Sequence, residues 1–288
     1  MESTDNAAKI AASPEDLQWK IEEIGSGCEV GVAFFDYATQ LQWSYQAHRW
    51  FHAASTIKAA VLLALFKAID EGRFTIDSRL HIRNRFLSVV DGEPYRISPD
   101  RDADSKIHAA VGKTMRLGEL ALQMIVSSSN LATNLLVDLI GIDKAQQCIA
   151  DLGCGGIELI RGVEDGKAFE ASINNRVTAD GLLQLFRAIY ERRNLSRESS
   201  DRMMEILSRQ EFNSGIPAGL PSPIRDQSRI AHKTGDISTV AHDAGLVFLP
   251  DRKPYLLAIL MEAGEENSPT QDKVAKISEA IYQRLVSA

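Results

Sequence analysis

The sequence predicts a mixed α/β (α+β) fold, in which an antiparallel sheet flanked by N- and C-terminal helices carries an inserted all-helical lobe. Three observations lead to it. A stretch rich in Val, Phe, Trp and Tyr lies near the N-terminus and strand-like runs return beyond residue 229, while the stretch between them has helical periodicity. Helix-start signals bracket the chain at both ends. One segment, Ala59 to Phe66, is apolar nearly all the way round and belongs at the centre of a helical cluster. The expected organisation is a discontinuous α/β lobe, residues 1–54 and 209–288, an all-helical lobe, residues 55–208, and a pocket in the cleft between them.

Taken in order, Ser13-Pro14-Glu15-Asp16 supplies an N-cap, a first-turn proline and acids for a helix running to about Gly25. Glu29–Tyr37 and Leu41–Phe51 read as two antiparallel strands. A buried helix then runs from about Ser55 to Glu71, with Gly72 just past its end. Residues 74–113 are polar and irregular. Helical patterning covers Leu117–Val126, breaks at Ser127-Ser128-Ser129 and resumes to Ile140; Ala179–Arg192 and Ser199–Leu207 are two further helices. Strands return at Ile230–Thr234, Ala244–Leu249 and Tyr255–Met261, with Pro250 to Pro254 turning between the last two. Ser268-Pro269-Thr270-Gln271 opens a final helix as a capping box.

Length and composition narrow the function. A chain of 288 residues with 44% apolar and 25% charged residues can bury a full core. Its formal net charge of −7 speaks against nucleic acid, whose phosphates demand a basic face. No apolar run is long enough for membrane insertion. The first residues carry neither a basic nor an apolar leader segment, so the chain as written reads as cytoplasmic, or as exported if a leader was removed. Cys28, Cys148 and Cys154 form no Cys-x-x-Cys pair and read as packing residues, and no metal or organic cofactor is expected.

Three short motifs carry chemistry. Ser55-Thr56-Ile57-Lys58 puts a hydroxyl and an amine on one helical face, and a desolvated lysine can activate a serine. Ser128-Ser129-Asn130 falls between two helices, where hydroxyl and amide side chains point outward. Lys233-Thr234-Gly235 ends a strand, offering a cation and a hydroxyl where glycine permits close backbone approach. Each alone is commonplace. In this order and context, with Phe51-His52-Ala53-Ala54 before the serine and Asn134 after the second motif, the set resembles the class A β-lactamases and penicillin-binding proteins.

That resemblance implies an acyl-enzyme on Ser55. Lys58, or Glu170 through a water, would take the serine proton. Ser128 would protonate the leaving nitrogen, Asn130 would hold the substrate amide, and Lys233 and Thr234 its carboxylate. The amides of Ser55 and Asp236 would form the oxyanion hole beside Gly235. Glu170-Ala171-Ser172-Ile173-Asn174 matches the family's Glu-x-x-x-Asn pattern, so Glu170 and Asn174 would hold the deacylating water; Glu164 is a rival carboxylate. The substrate would be a small-molecule β-lactam or a short cell-wall peptide, and the enzyme a monomer.

The sequence departs from the pattern in three places. The loop after Glu170 is short, Ser129 replaces the usual Asp, and His242 stands near where an Arg often helps hold the substrate carboxylate. These departures leave two alternatives open: a D-alanyl-D-alanine peptidase or esterase turning β-lactams over slowly, and a ligand-sensing homologue. Three other patterns lead nowhere. His242-Asp243 cannot serve one triad, because strand neighbours face opposite ways. His48 and His52 have zinc spacing but not a helix to display it. The glycine pairs near residues 25 and 153 lack the strand-to-helix setting of a dinucleotide loop.

Overall fold

The computed structural model describes residues 14–264 and 268–287. Five antiparallel strands, β1 (Cys28–Asp36), β2 (Gln42–Tyr45), β3 (Arg229–Ile237), β4 (Val240–Phe248) and β5 (Tyr255–Ala263), form the main sheet in the order β3-β4-β5-β1-β2. The principal helices are α1 (Pro14–Ile24), α2 (Ile57–Asp70), α3 (Leu117–Val126), α4 (Asn130–Ile140), α5 (Ile142–Asp151), α6 (Ala179–Glu191), α7 (Arg197–Leu207) and α8 (Gln271–Ser287).

Alternation along the strands separates two apolar layers. Val30, Val32 and Phe34 of β1 join Leu257, Ile259 and Met261 of β5 beneath α1 and α8, which contribute Leu17, Ile21, Val274 and Ile277. Ala33, Ala244, Ala258 and Leu260 face the other way, into a larger core shared with the helices. On that inner face the register sets Ala33 opposite Ala258, Ala258 opposite Ala244, and Ala244 opposite Lys233. This row of small side chains lets α6 pack across β1, β4 and β5, and it ends at Lys233.

Helix α2 is the axis of the helical side. Every residue from Ile57 to Phe66 is buried, as its apolar circumference predicts. Burying each large aliphatic side chain contributes roughly 1.5–3 kcal/mol. Gly72, at φ +73°, ends the helix as expected. Thr178 and Ser196 cap α6 and α7 through the amides of Gly181 and Ser199.

Several boundaries differ from the sequence reading. Leu41–Phe51 is not one strand: β2 ends at Tyr45, Gln46 takes φ +43°, and Phe51–His52 pairs instead with Arg176–Val177. Ser55 lies in a 3-10 turn (Ala54–Thr56) that leads into α2. Strands β3 and β4 run further than expected, because their hairpin pairs as far as Ile237 and Val240. Helix α5 was hidden by its many polar residues. Thr270, not Ser268, caps α8, through the Lys273 amide. The proposed cap Ser13 lies outside the described residues.

Candidate active site

The turn carrying Ser55 is clamped from several sides. Ala54 sits at φ +43°, a conformation that costs a non-glycine residue energy and must be imposed by its surroundings. Its amide donates to His52 Nδ1 (3.0 Å), and the Ala53 amide donates to the Asn175 carbonyl (2.9 Å). His242 Nε2 contacts the His52 carbonyl at 2.9 Å. On the remaining side β3 presses close: a Cβ on Gly235 would lie 3.0 Å from Thr56 Cγ2 and 3.2 Å from the Thr56 amide nitrogen. The close approach that needs this glycine is therefore made by the chain's own serine turn. The half-buried Ser55 faces a cleft of about 600 Å³, and among the described residues its hydroxyl has no hydrogen-bond partner.

One helical turn on, Lys58 is fully buried. Its Nζ meets the Ser128 carbonyl (2.6 Å), Asn130 Oδ1 (2.7 Å) and Ser128 Oγ (3.1 Å). Burial, with repulsion from Lys233, holds its pKa well below the usual lysine range, while Asp102 and Glu164 oppose that shift. In all three contacts Nζ is the donor. The direct hydrogen bond from Ser55 to Lys58 that the spacing suggests is not formed.

Ser128 occupies the left-handed region at φ +58°. Ser129 is buried and caps α4 through the Ala132 amide. With no acid at position 129, the carboxylate that reaches this loop comes from another stretch of chain. The Asp102 side chain, with no exposed surface, accepts from the Asn130 amide (3.0 Å) and the Leu131 amide (2.9 Å). Sequence reasoning missed Asp102 because it lies 28 residues from Asn130 in a stretch that reads as irregular. The serine at 129, in place of the usual acid, is the signal in the sequence that the loop takes its carboxylate from elsewhere.

Lys233 is also fully buried, its pKa lowered to about 7 by burial despite the opposing field of Asp243. Its Nζ donates to the Thr234 carbonyl (3.0 Å). Thr234 is nearly buried on the neighbouring position of β3. Asp236 is exposed, lines the cleft, and accepts from Gln271 Nε2 (3.2 Å). His242 does not reach the cleft, contrary to its expected place beside the substrate carboxylate. Its Nδ1 accepts from the Met261 amide (3.1 Å), which makes Nε2 the donor to His52. Burial lowers its pKa to about 4, so the ring is neutral and serves to hold the serine turn. Its neighbour Asp243 turns the other way, to His232 Nδ1 (2.8 Å) and the Ile216 amide (2.8 Å).

The loop from residue 161 to 175 forms the far wall. Asn134 clamps it, accepting from the Val163 amide (2.7 Å) and donating to the Val163 carbonyl (2.9 Å). That fixes the backbone one residue before Glu164, which lines the cleft and pairs with Arg101 (3.0 Å). Glu170 lies at the cleft's edge, exposed at the end of the short helix Gly166–Glu170, and its carboxylate has no hydrogen bond among the described residues. Asn174, expected to share a water with Glu170, has its Oδ1 accepting from Arg161 Nη2 at 2.7 Å. Arg161 also donates to the Ile173 and Gly162 carbonyls, so it knots this loop to itself. A hollow of similar size behind α2, about 610 Å³, is lined by Lys67, Glu71 and Arg73, which are engaged with neighbours. Among the described residues no cluster of His, Cys, Asp and Glu could hold a metal.

Fold and cleft define a hydrolase of the serine acyl-enzyme class. The chain belongs to the Beta-lactamase enzyme family, which it matches over residues 16–285. It is 27% identical to a β-lactamase of Bacteroides uniformis, over 96% of this chain and 93% of that one. With β-lactamase VEB-1 of Pseudomonas aeruginosa it shares 22% identity, over 91% and 88% of the two chains. Among solved structures it is similar to PBP-A, in the L158E mutant's acyl-enzyme complex with penicillin G, with a TM-score of 0.80, 28% identity, and 95% and 97% of the chains covered. A β-lactamase from Sphaerobacter thermophilus has the same fold, with a TM-score of 0.79 at 24% identity over 94% and 97%.

Proposed function

We propose that the protein opens the amide bond of β-lactams by acylation of Ser55 and then hydrolyses the resulting ester. The observation that carries this reading is the buried Lys58 amine, one turn from the cleft-facing Ser55 and bonded to both Ser128 and Asn130. A neutral Lys58 takes the Ser55 proton as Oγ attacks the lactam carbonyl. The amides of Ser55 and Asp236 receive the oxyanion. Ser128, in contact with Lys58, passes a proton to the leaving nitrogen, and Asn130 orients the substrate amide. Lys233 and Thr234 take the substrate carboxylate, whose charge favours the protonated form of Lys233. The enzyme acts as a monomer.

For deacylation, the geometry favours Glu164 over Glu170. Its backbone is positioned by the neighbouring Asn134 clamp, and its field reaches Lys58. A second reading is a D-alanyl-D-alanine peptidase or esterase on which β-lactams linger. The ion pair of Glu164 with Arg101 favours it, because that contact competes with a hydrolytic water.

Hydrolysis of a chromogenic cephalosporin, followed together with intact mass, tests both. The first reading expects turnover, and a Glu164→Gln variant that acylates normally but accumulates adduct while Glu170→Gln behaves as the parent. A parent that stays as adduct moves the assignment to the second reading. No adduct on Ser55 at all refutes both.

A further inference from the structure

We propose that Asp102 is a positioning residue for acylation, its carboxylate holding the Ser128–Asn130 loop against Lys58 in place of the acid absent at position 129. The contacts are specific. Asp102 Oδ1 accepts from the Asn130 amide (3.0 Å), and Oδ2 accepts from the Leu131 amide (2.9 Å) and the Ser129 hydroxyl (3.3 Å). These are first-turn amides of α4, which have no partner within their own helix. A buried carboxylate there also faces the positive end of the helix dipole.

The Asp102 segment is itself anchored. His108 Nε2 lies 3.0 Å from Asp102 Oδ2, and Asp104 accepts from the Ser127 hydroxyl (2.7 Å). Asn130 Nδ2 donates to the Arg101 carbonyl (3.1 Å), which turns Asn130 Oδ1 toward Lys58. One short stretch, Arg101 to Asp104, thus fixes both sides of the motif loop. Ser128 in particular is kept at a φ that few serines adopt, with its carbonyl and hydroxyl on the lysine amine. Asp102 touches no reacting atom; it acts through Asn130, Ser128 and the electrostatics of Lys58. Lys233, Asp102 and Glu164 are the charged groups acting on that lysine.

The kinetic part of the test rests on the acyl-enzyme reading above, while amide exchange reads the brace without it. In the full chain, Asp102→Asn should speed exchange of the Asn130 and Leu131 amides by about tenfold or more. It should slow penicillin G adduct formation by about 10- to 100-fold. The acid limb of the acylation pH profile should move to lower pH, because a carboxylate that favours the ammonium form of Lys58 has gone. Ser129→Asp added to Asp102→Asn should recover most of the rate. Unchanged exchange at the two amides overturns the brace. So does a rate loss that tracks a lowered Tm, leaves the pH limb in place and is not rescued. Failure of both the single and the double variant to fold would assign Asp102 to folding and refute the positioning role. If the parent forms no adduct, the hydrolase reading falls and the exchange result alone decides the brace.

Discussion

The two walls of the cleft are fastened by different physics. On the Ser55 side, the serine turn is wedged against β3 by close packing at Gly235 and tied beneath by His242, a neutral ring in the core. On the opposite side, the Ser128–Asn130 loop and residues 161–175 are held by single polar side chains reaching for backbone: Asp102, Asn134 and Arg161. A packed wall responds to volume; a tethered wall responds to the loss of one hydrogen-bonding group.

Gly235→Ala tests the packed wall and should have the largest effect. Its new methyl meets Thr56 backbone and side chain, which must move together with Ser55. A loss of about 1–3 kcal/mol in stability and a sharp drop in acylation are expected, measured by denaturant melts and by adduct formation. Unaltered acylation would show that the serine turn is not set by this contact.

Next comes Asn134→Ala on the tethered wall. It strips the Val163 amide of its partner and leaves the Val163 carbonyl only the longer bond from the Tyr95 hydroxyl (3.3 Å), at a cost of about 1–3 kcal/mol. Because the clamp adjoins Glu164 and not Ser55, deacylation should slow more than acylation, as pre-steady-state mass spectrometry can resolve. Equal slowing of the two steps would mean that both walls move as one.

The smallest effect is in pH. His242 titrates near 4 in the folded chain against an ordinary 6.5, so the unfolded chain binds the extra proton between those values. Stability therefore rises with pH from about 4 to 6.5 and gains nothing further from this group above that. Between pH 5.5 and 6.5 its share is on the order of 1 kcal/mol. His242→Gln should flatten the Tm–pH slope in this window, whatever it does to the absolute Tm. An unchanged slope would remove His242 from the account.

The same division explains what could be read from the sequence. Ser55 with Lys58, Ser128 with Asn130, and Lys233 to Gly235 are local patterns, and helical or strand geometry makes each visible. The sheet and the central helix were equally legible, since hydrophobic periodicity records burial. Asp102 and the Asn134 clamp were not, because their partners lie 28 and 29 residues away and any Asp or Asn could have served. Glu170 and Asn174 illustrate the opposite case. Their spacing fits a motif, yet the Arg161 knot takes Asn174 and leaves Glu170 at the rim. His242 was misplaced because position along a strand gives its face but not whether that face meets cleft or core.

Lys58 ties α2 to the Ser128–Asn130 loop as well as carrying an amine. The proposed base and a rivet are thus one side chain. An inactive Lys58→Met variant would report two losses at once, and only the fate of the Asn130 carboxamide, followed by its own NMR resonance, tells missing chemistry from a loosened joint.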